Sequence, residues 1–106
     1  MPDARGTVGS DGSGKVSVSG ANENRRYALT DMDYRVVGTK QGSQLKNAGF
    51  TGLNPCSSYY VYELNQSANP DIGVILPDNL DPDTFSPPSR VTVPAPTMMW
   101  KTMGLV

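Results

Sequence analysis

The chain has no histidine among its 106 residues. Histidine is the side chain whose ordinary pKa lies nearest neutrality. Its absence removes the commonest general base, the Ser/His/Asp arrangement and imidazole metal sites. Cysteine is almost as scarce. Cys56 stands alone, which excludes an intrachain disulfide framework, and with no histidine to activate it the residue reads as a small hydrophobe rather than a nucleophile. Long apolar runs are missing too: no stretch approaches the about 18 apolar residues of a membrane-crossing helix. The N-terminus shows no apolar segment of signal-peptide type, so the chain is expected to be made and kept inside a cell or to leave it by a route other than a cleaved signal, and "NQS" at Asn65 reads as a chance match to a glycosylation acceptor.

Charge of one dominant sign is also lacking. The net charge is −1 and the pI is about 5.1, so no global field steers the chain to nucleic acid or to an anionic membrane. Residues 1–46 hold seven Lys or Arg against five acids, and residues 47–106 hold two against five. That asymmetry suits head-to-tail contact between copies of the chain.

"GSDGSGKV", residues 9–16, matches the first seven positions of the phosphate-cradling pattern G-x-x-x-x-G-K-[ST]. The mechanism behind that spacing requires a buried strand before the loop, a helix after it and a hydroxyl on the metal. Here the hydroxyl position is Val16, and "VSVSG" alternates with strand period. Lys15 therefore reads as a lysine beside a glycine- and serine-rich linker.

Period two dominates the remainder. "KVSVS" reads as a short strand. "RYALTDMDYRVVGT" sets Met32, Tyr34 and Val36 against Asp31, Asp33 and Arg35, and reads as one strand with an apolar and a charged face. "TKQGSQ" reads as a turn, "SSYYVYEL" as the clearest strand, and "IGVIL" and "SRVTV" as two more. Turn signals recur at "NAG", "NPD", "PDN" and "SPPS". The expected fold is all-β: a small antiparallel, immunoglobulin-like sandwich or barrel with extended terminal arms. The expected boundaries are a flexible arm over residues 1–14, a β domain over 15–77, and a proline-rich extended segment with an apolar tail over 78–106.

"GLNPCSSYYVYEL", residues 52–64, resembles the tyrosine-corner segment of fibronectin type III and related immunoglobulin-like sandwiches, through Leu53, Pro55, Tyr59 and Val61. In such corners the tyrosine hydroxyl bonds back to backbone a few residues upstream and fixes the crossover into the next strand. The resemblance implies that Tyr59 is structural and Leu53 belongs to the core. It implies no function, because folds of this type host many.

Two further constellations bear on function. Asn79, Asp81 and Asp83 occupy positions 1, 3 and 5 of a calcium loop, but Thr84 and Arg90 stand where such a loop needs glycine and glutamate. The stretch reads as a solvated acidic turn, and no metal or cofactor is expected. Tyr27, Tyr34, Tyr60, Tyr62 and Trp100 are the candidates for a stacking platform, although tyrosines at strand spacing are more often half-buried sheet residues.

Seven of the nine prolines fall between Pro70 and Pro96, which makes that region extended. The tail "TMMWKTMGLV" follows, with Met98, Met99, Trp100, Met103, Leu105 and Val106 beside one charge, Lys101. Burying six such side chains stabilises by about 10–15 kcal/mol. Ordering ten residues costs ~15 kcal/mol. The tail therefore needs a groove, either on its own domain or, by strand addition, on a neighbouring chain. With no catalytic pair in view, the chain is expected not to be an enzyme. The form is that of an assembly part, a virion component such as a phage capsid decoration or small head or tail protein, docking through Met98, Met99, Trp100, Met103 and Leu105 on other virion subunits or on itself as a homo-oligomer. The alternative is a carbohydrate- or peptide-binding β module using surface aromatics.

Overall fold

Ser58–Leu64 is the clearest strand signal in the sequence, with three tyrosines and a valine in four positions, and it forms a strand with two apolar faces. Tyr59 and Val61 point one way into the principal core, while Tyr60, Tyr62 and Leu64 point the other way into a second cluster. A strand of that kind must lie inside a sheet covered on both sides. The computed structural model, which describes residues 2–76 and 88–96, shows how that is achieved.

The elements in chain order are β1 (Asp3–Val8), β2 (Gly14–Ser19), β3 (Arg26–Thr30), β4 (Val36–Gln41), the single-turn helix α1 (Gly42–Leu45), β5 (Phe50–Leu53), β6 (Ser58–Leu64) and β7 (Ser89–Thr92). All strand pairs are antiparallel. A 3-stranded sheet in the order β1-β2-β5 faces a 4-stranded sheet in the order β4-β3-β6-β7. The result is the small β-sandwich that the alternation and turn signals imply.

The interior is filled from both sheets. Val16 and Val18 of β2 and Phe50 of β5 meet Tyr27 and Leu29 of β3, Tyr59 and Val61 of β6, and Val91 of β7. Leu29 lies opposite Val61 in the β3–β6 ladder, and both are fully buried. Each such aliphatic side chain contributes about 1.5–3 kcal/mol by leaving water. On the outer face of the larger sheet, Ala28, Val36, Tyr62 and Leu64 are covered by Leu76 and Ala68 from the segment that follows β6.

The two seams of the sandwich differ, one closed and the other bridged by a single side chain. At one, Gly6 of β1 lies so close to β7 that a Cβ there would sit 2.2 Å from the carbonyl oxygen of Thr92, and the Ser89 hydroxyl donates to the carbonyl of Pro2. At the other, Lys40 of β4 donates from Nζ to the carbonyl of Gly49 at 3.0 Å.

Four expectations from the sequence need correction. Residues 3–8, expected within a flexible arm, form β1, because six residues pair in continuous register with β2 and Ala4 and Val8 pack against the core. The β domain, expected to end at residue 77, extends to β7, which forms where "SRVTV" was expected as a strand and completes the larger sheet beside β6. The one strand expected across residues 26–39 is two strands joined by a turn. There the Asp31 carboxylate accepts the N–H groups of Asp33 and Arg35 at 2.9 and 3.0 Å, and Tyr34 takes a left-handed φ of 64°. "TKQGSQ", expected as a turn, instead extends β4 through Gln41 and starts α1.

Candidate functional site

Tyr59 organises one end of the sandwich. It is buried, and its hydroxyl accepts the backbone N–H of Asn54 at 3.0 Å, which ties the loop leaving β5 of one sheet to the strand β6 of the other. Leu53 is half-buried against the core. Pro55 and Cys56 form the corner, Cys56 is exposed with a left-handed φ of 60°, and its N–H donates to the carbonyl of Pro94 at 3.4 Å.

The opposite end repeats the arrangement. The N–H of Asn22 donates to the hydroxyl of Tyr27 at 2.8 Å, again across five residues into a sheet strand. Tyr27 also donates to Glu63 Oε1 at 2.5 Å. Burial first, and this bond to the Glu63 carboxylate second, push the Tyr27 phenol up to about 12.

Beside Tyr59, where β4 and β5 splay apart, a cleft of about 570 Å³ opens. The β3–β4 turn supplies Asp31, Met32 and Asp33, β4 supplies Val37, and Thr51–Leu53 of β5 forms the other wall. Met32 and Val37 are exposed apolar side chains, so the cleft joins an apolar floor to two carboxylates. β5 pairs only with β2, and Gly52, at φ 68°, gives this wall a backbone turn that a side chain would strain.

A second exposed feature lies on the segment after β6. Ile72, Val74 and Ile75 are 73%, 45% and 54% exposed. Their backbone is nevertheless fixed: Val36 N–H donates to Val74 O, Gly73 N–H to Val36 O and Leu76 N–H to Tyr34 O, each at 2.8 Å. Arg35 adds a bond from Nη1 to Gly73 O at 3.0 Å. An aliphatic triplet is thus held toward solvent on a tethered backbone.

Of the tyrosine candidates for a stacking platform, Tyr27 and Tyr62 are buried, while Tyr34 and Tyr60 are partly exposed and stack on each other with centroids 5.1 Å apart and planes 10° apart. Trp100, the remaining candidate, lies outside the described residues, as do the tail residues Met98, Met99, Met103 and Leu105 and the acidic triplet Asn79, Asp81 and Asp83. Lys15 of the phosphate-loop-like stretch stands on β2 opposite Thr7.

The sequence reading did not single out the cleft or the triplet. The alternation sets Met32 on the apolar face of a strand and reads "IGVIL" as a strand of its own; the structure instead puts Met32 in a turn and Ile72–Leu76 in an irregular segment with one isolated bridge, Arg35 to Ile75. Gly73 inside that run was the available signal, since a glycine within a strand pattern marks an irregularity. No family model, curated protein or solved structure matches this chain.

Proposed function

We propose that the chain is a structural assembly protein, a virion component of the kind that decorates a phage capsid or builds a small part of its head or tail, and that it docks on neighbouring protein subunits, copies of itself among them. The observation that carries this reading is the tethered aliphatic triplet Ile72, Val74 and Ile75. Contiguous exposed apolar side chains on a small soluble domain mark contact surfaces. A backbone fixed before contact reduces the ordering cost of binding. The closed seam of β1 against β7 adds support: on that side the sandwich offers side chains rather than bare strand edges to a partner.

Solution mass tests the reading. Light scattering over a concentration series is expected to show mass rising above that of a monomer, and Ile72→Asp with Ile75→Asp is expected to reverse the rise with circular dichroism unchanged. A wild-type chain that remains monomeric at every concentration sinks it.

A further inference from the structure

Tyr59 is 5% exposed and lines the cleft together with Asn54. Its oxygen accepts the N–H of Asn54 at 3.0 Å, but its own O–H finds no acceptor among the described residues. A buried hydroxyl with an unused donor is destabilising until an acceptor reaches it. The β3–β4 turn has the complementary need. The Asp31 carboxylate is engaged by the N–H groups of Asp33 and Arg35, whereas the exposed Asp33 carboxylate has no hydrogen-bond or ion-pair partner among the described residues. Arg35, the nearest cation in sequence, directs its guanidinium to the carbonyl of Gly73 instead. Met32, Val37 and Leu53 supply the apolar part of the same lining.

We propose that the cleft binds a lysine or arginine residue within a peptide segment of a protein partner. The residue's backbone carbonyl accepts from the Tyr59 hydroxyl, its methylene stem lies against Met32, Val37 and Leu53, and its cationic head meets Asp33. Chemistry selects this occupant, because the cleft asks for an acceptor, an apolar stem and a positive charge within one short piece. A lysine or arginine residue of a peptide has all three. A simple amine lacks the acceptor, a sugar lacks the charge, and a nucleic acid brings phosphates that the carboxylates repel. The volume of about 570 Å³ falls in the ~300–1,000 Å³ range of ligand sites. It exceeds what one side chain fills, so the residues flanking the cation enter with it. Both walls are fixed before binding, one by the two bonds to Asp31 and the other by the bond from Asn54 to Tyr59, which lowers the ordering cost. At an exposed carboxylate an ion pair contributes about 0–1 kcal/mol, so burial of the stem gives most of the affinity and Asp33 gives the choice of sign.

The site is separate from the aliphatic triplet and does not rest on self-assembly. Titration of the full-length protein with the peptide acetyl-Ala-Lys-Ala-amide, followed by amide and methyl NMR, is expected to move the signals of Met32, Val37, Thr51, Gly52 and Leu53 to saturation. The same peptide with norleucine or glutamate in place of its lysine is expected to bind several-fold more weakly. Asp33→Asn is expected to weaken the lysine peptide several-fold and leave the norleucine peptide unchanged, a selectivity that a structural role for Asp33 would not produce. Asp33→Lys is expected to turn the preference toward the glutamate peptide. Tyr59→Phe is expected to weaken the lysine peptide several-fold while leaving n-butylamine, which has no carbonyl, as weak as before. Circular dichroism is expected to stay unchanged in all three variants. Cleft signals that ignore the lysine peptide overturn the proposal, as does a glutamate peptide that binds the wild type as tightly. Equal affinity for n-butylamine and the peptide also overturns it, because the carbonyl would then have no place in recognition. A permanent monomer that binds the lysine peptide at the cleft defeats the assembly reading alone; an assembling chain whose cleft ignores the peptide defeats this proposal alone.

Discussion

The backbone N–H of Asn54 donates to the hydroxyl of Tyr59 across 3.0 Å, and this one bond fastens the crossover between the two sheets. Tyr27 does the same for Asn22 at the other end of the β3–β6 ladder. Both tyrosines stand second in their strands, so each fixes the entry of a central strand of the larger sheet. Replacing Tyr59 with Phe leaves the ring in the core and strands one N–H. The expected loss is about 0.5–1.5 kcal/mol of unfolding free energy, read from denaturant midpoints.

Tyr27→Phe is expected to cost more, because the Tyr27 hydroxyl serves two partners, the Asn22 N–H and the Glu63 carboxylate. Loss of both bonds, one of them to a charged group, points to roughly 2–3 kcal/mol. The same denaturant series compares the two variants directly.

The Tyr27 phenol also gives the fold a pH dependence with a definite sign. Its pKa is raised from 10.0 to about 12 on folding. A group raised on folding contributes stability that is fully present below the unfolded value and is lost as pH climbs through the folded one. Melting temperature is therefore expected to fall between pH 10 and pH 12, and the fall is expected to be shallower in Tyr27→Phe. Equal slopes for the two proteins would show that Tyr27 is not the group responsible.

Gly6 is expected to be intolerant of any side chain. A Cβ at this position meets the Thr92 carbonyl oxygen at 2.2 Å, and backbone cannot rotate away as a flexible side chain can. Gly6→Ala is expected to destabilise by ~3 kcal/mol and to loosen the β1–β7 seam, seen as faster amide exchange in both strands.

The parts of this fold that were legible in the sequence are those where side chains announce their own surroundings. Tyr59 with Leu53 and Pro55 marked a corner because a buried hydroxyl needs a backbone partner at short range. The strand Ser58–Leu64 showed itself by its aromatic and β-branched density. β1 was hidden because its inward positions are Ala4, Gly6 and Val8, too small to stand out beside the glycines and serines that follow. Its place comes from pairing with β2, a non-local term that composition does not carry. The turn at Asp31–Tyr34 was hidden for the opposite reason: its residues alternate as a strand does, and the reversal depends on the Asp31 carboxylate capturing two N–H groups and on Tyr34 adopting a left-handed φ. The cleft was beyond reach because its walls, Asp31–Asp33 and Thr51–Leu53, are brought together only by the packing of the two sheets.

The aliphatic triplet separates stability from assembly. Ile72 and Ile75 are exposed, and exposed substitutions change stability by no more than about 0.5 kcal/mol. Ile72→Asp with Ile75→Asp is therefore expected to leave the melting temperature near that of the wild type. A marked drop would place these side chains in the fold's own core and remove them as a contact surface.

The measurement that bears most directly on the assembly role is the mass of the full-length chain by light scattering across a concentration series, wild type beside the Ile72→Asp, Ile75→Asp double variant. The account predicts a wild-type mass that climbs to multiples of the monomer and a variant that stays monomeric. A wild-type chain that remains a monomer throughout, or a variant that assembles as well as the wild type, would contradict it.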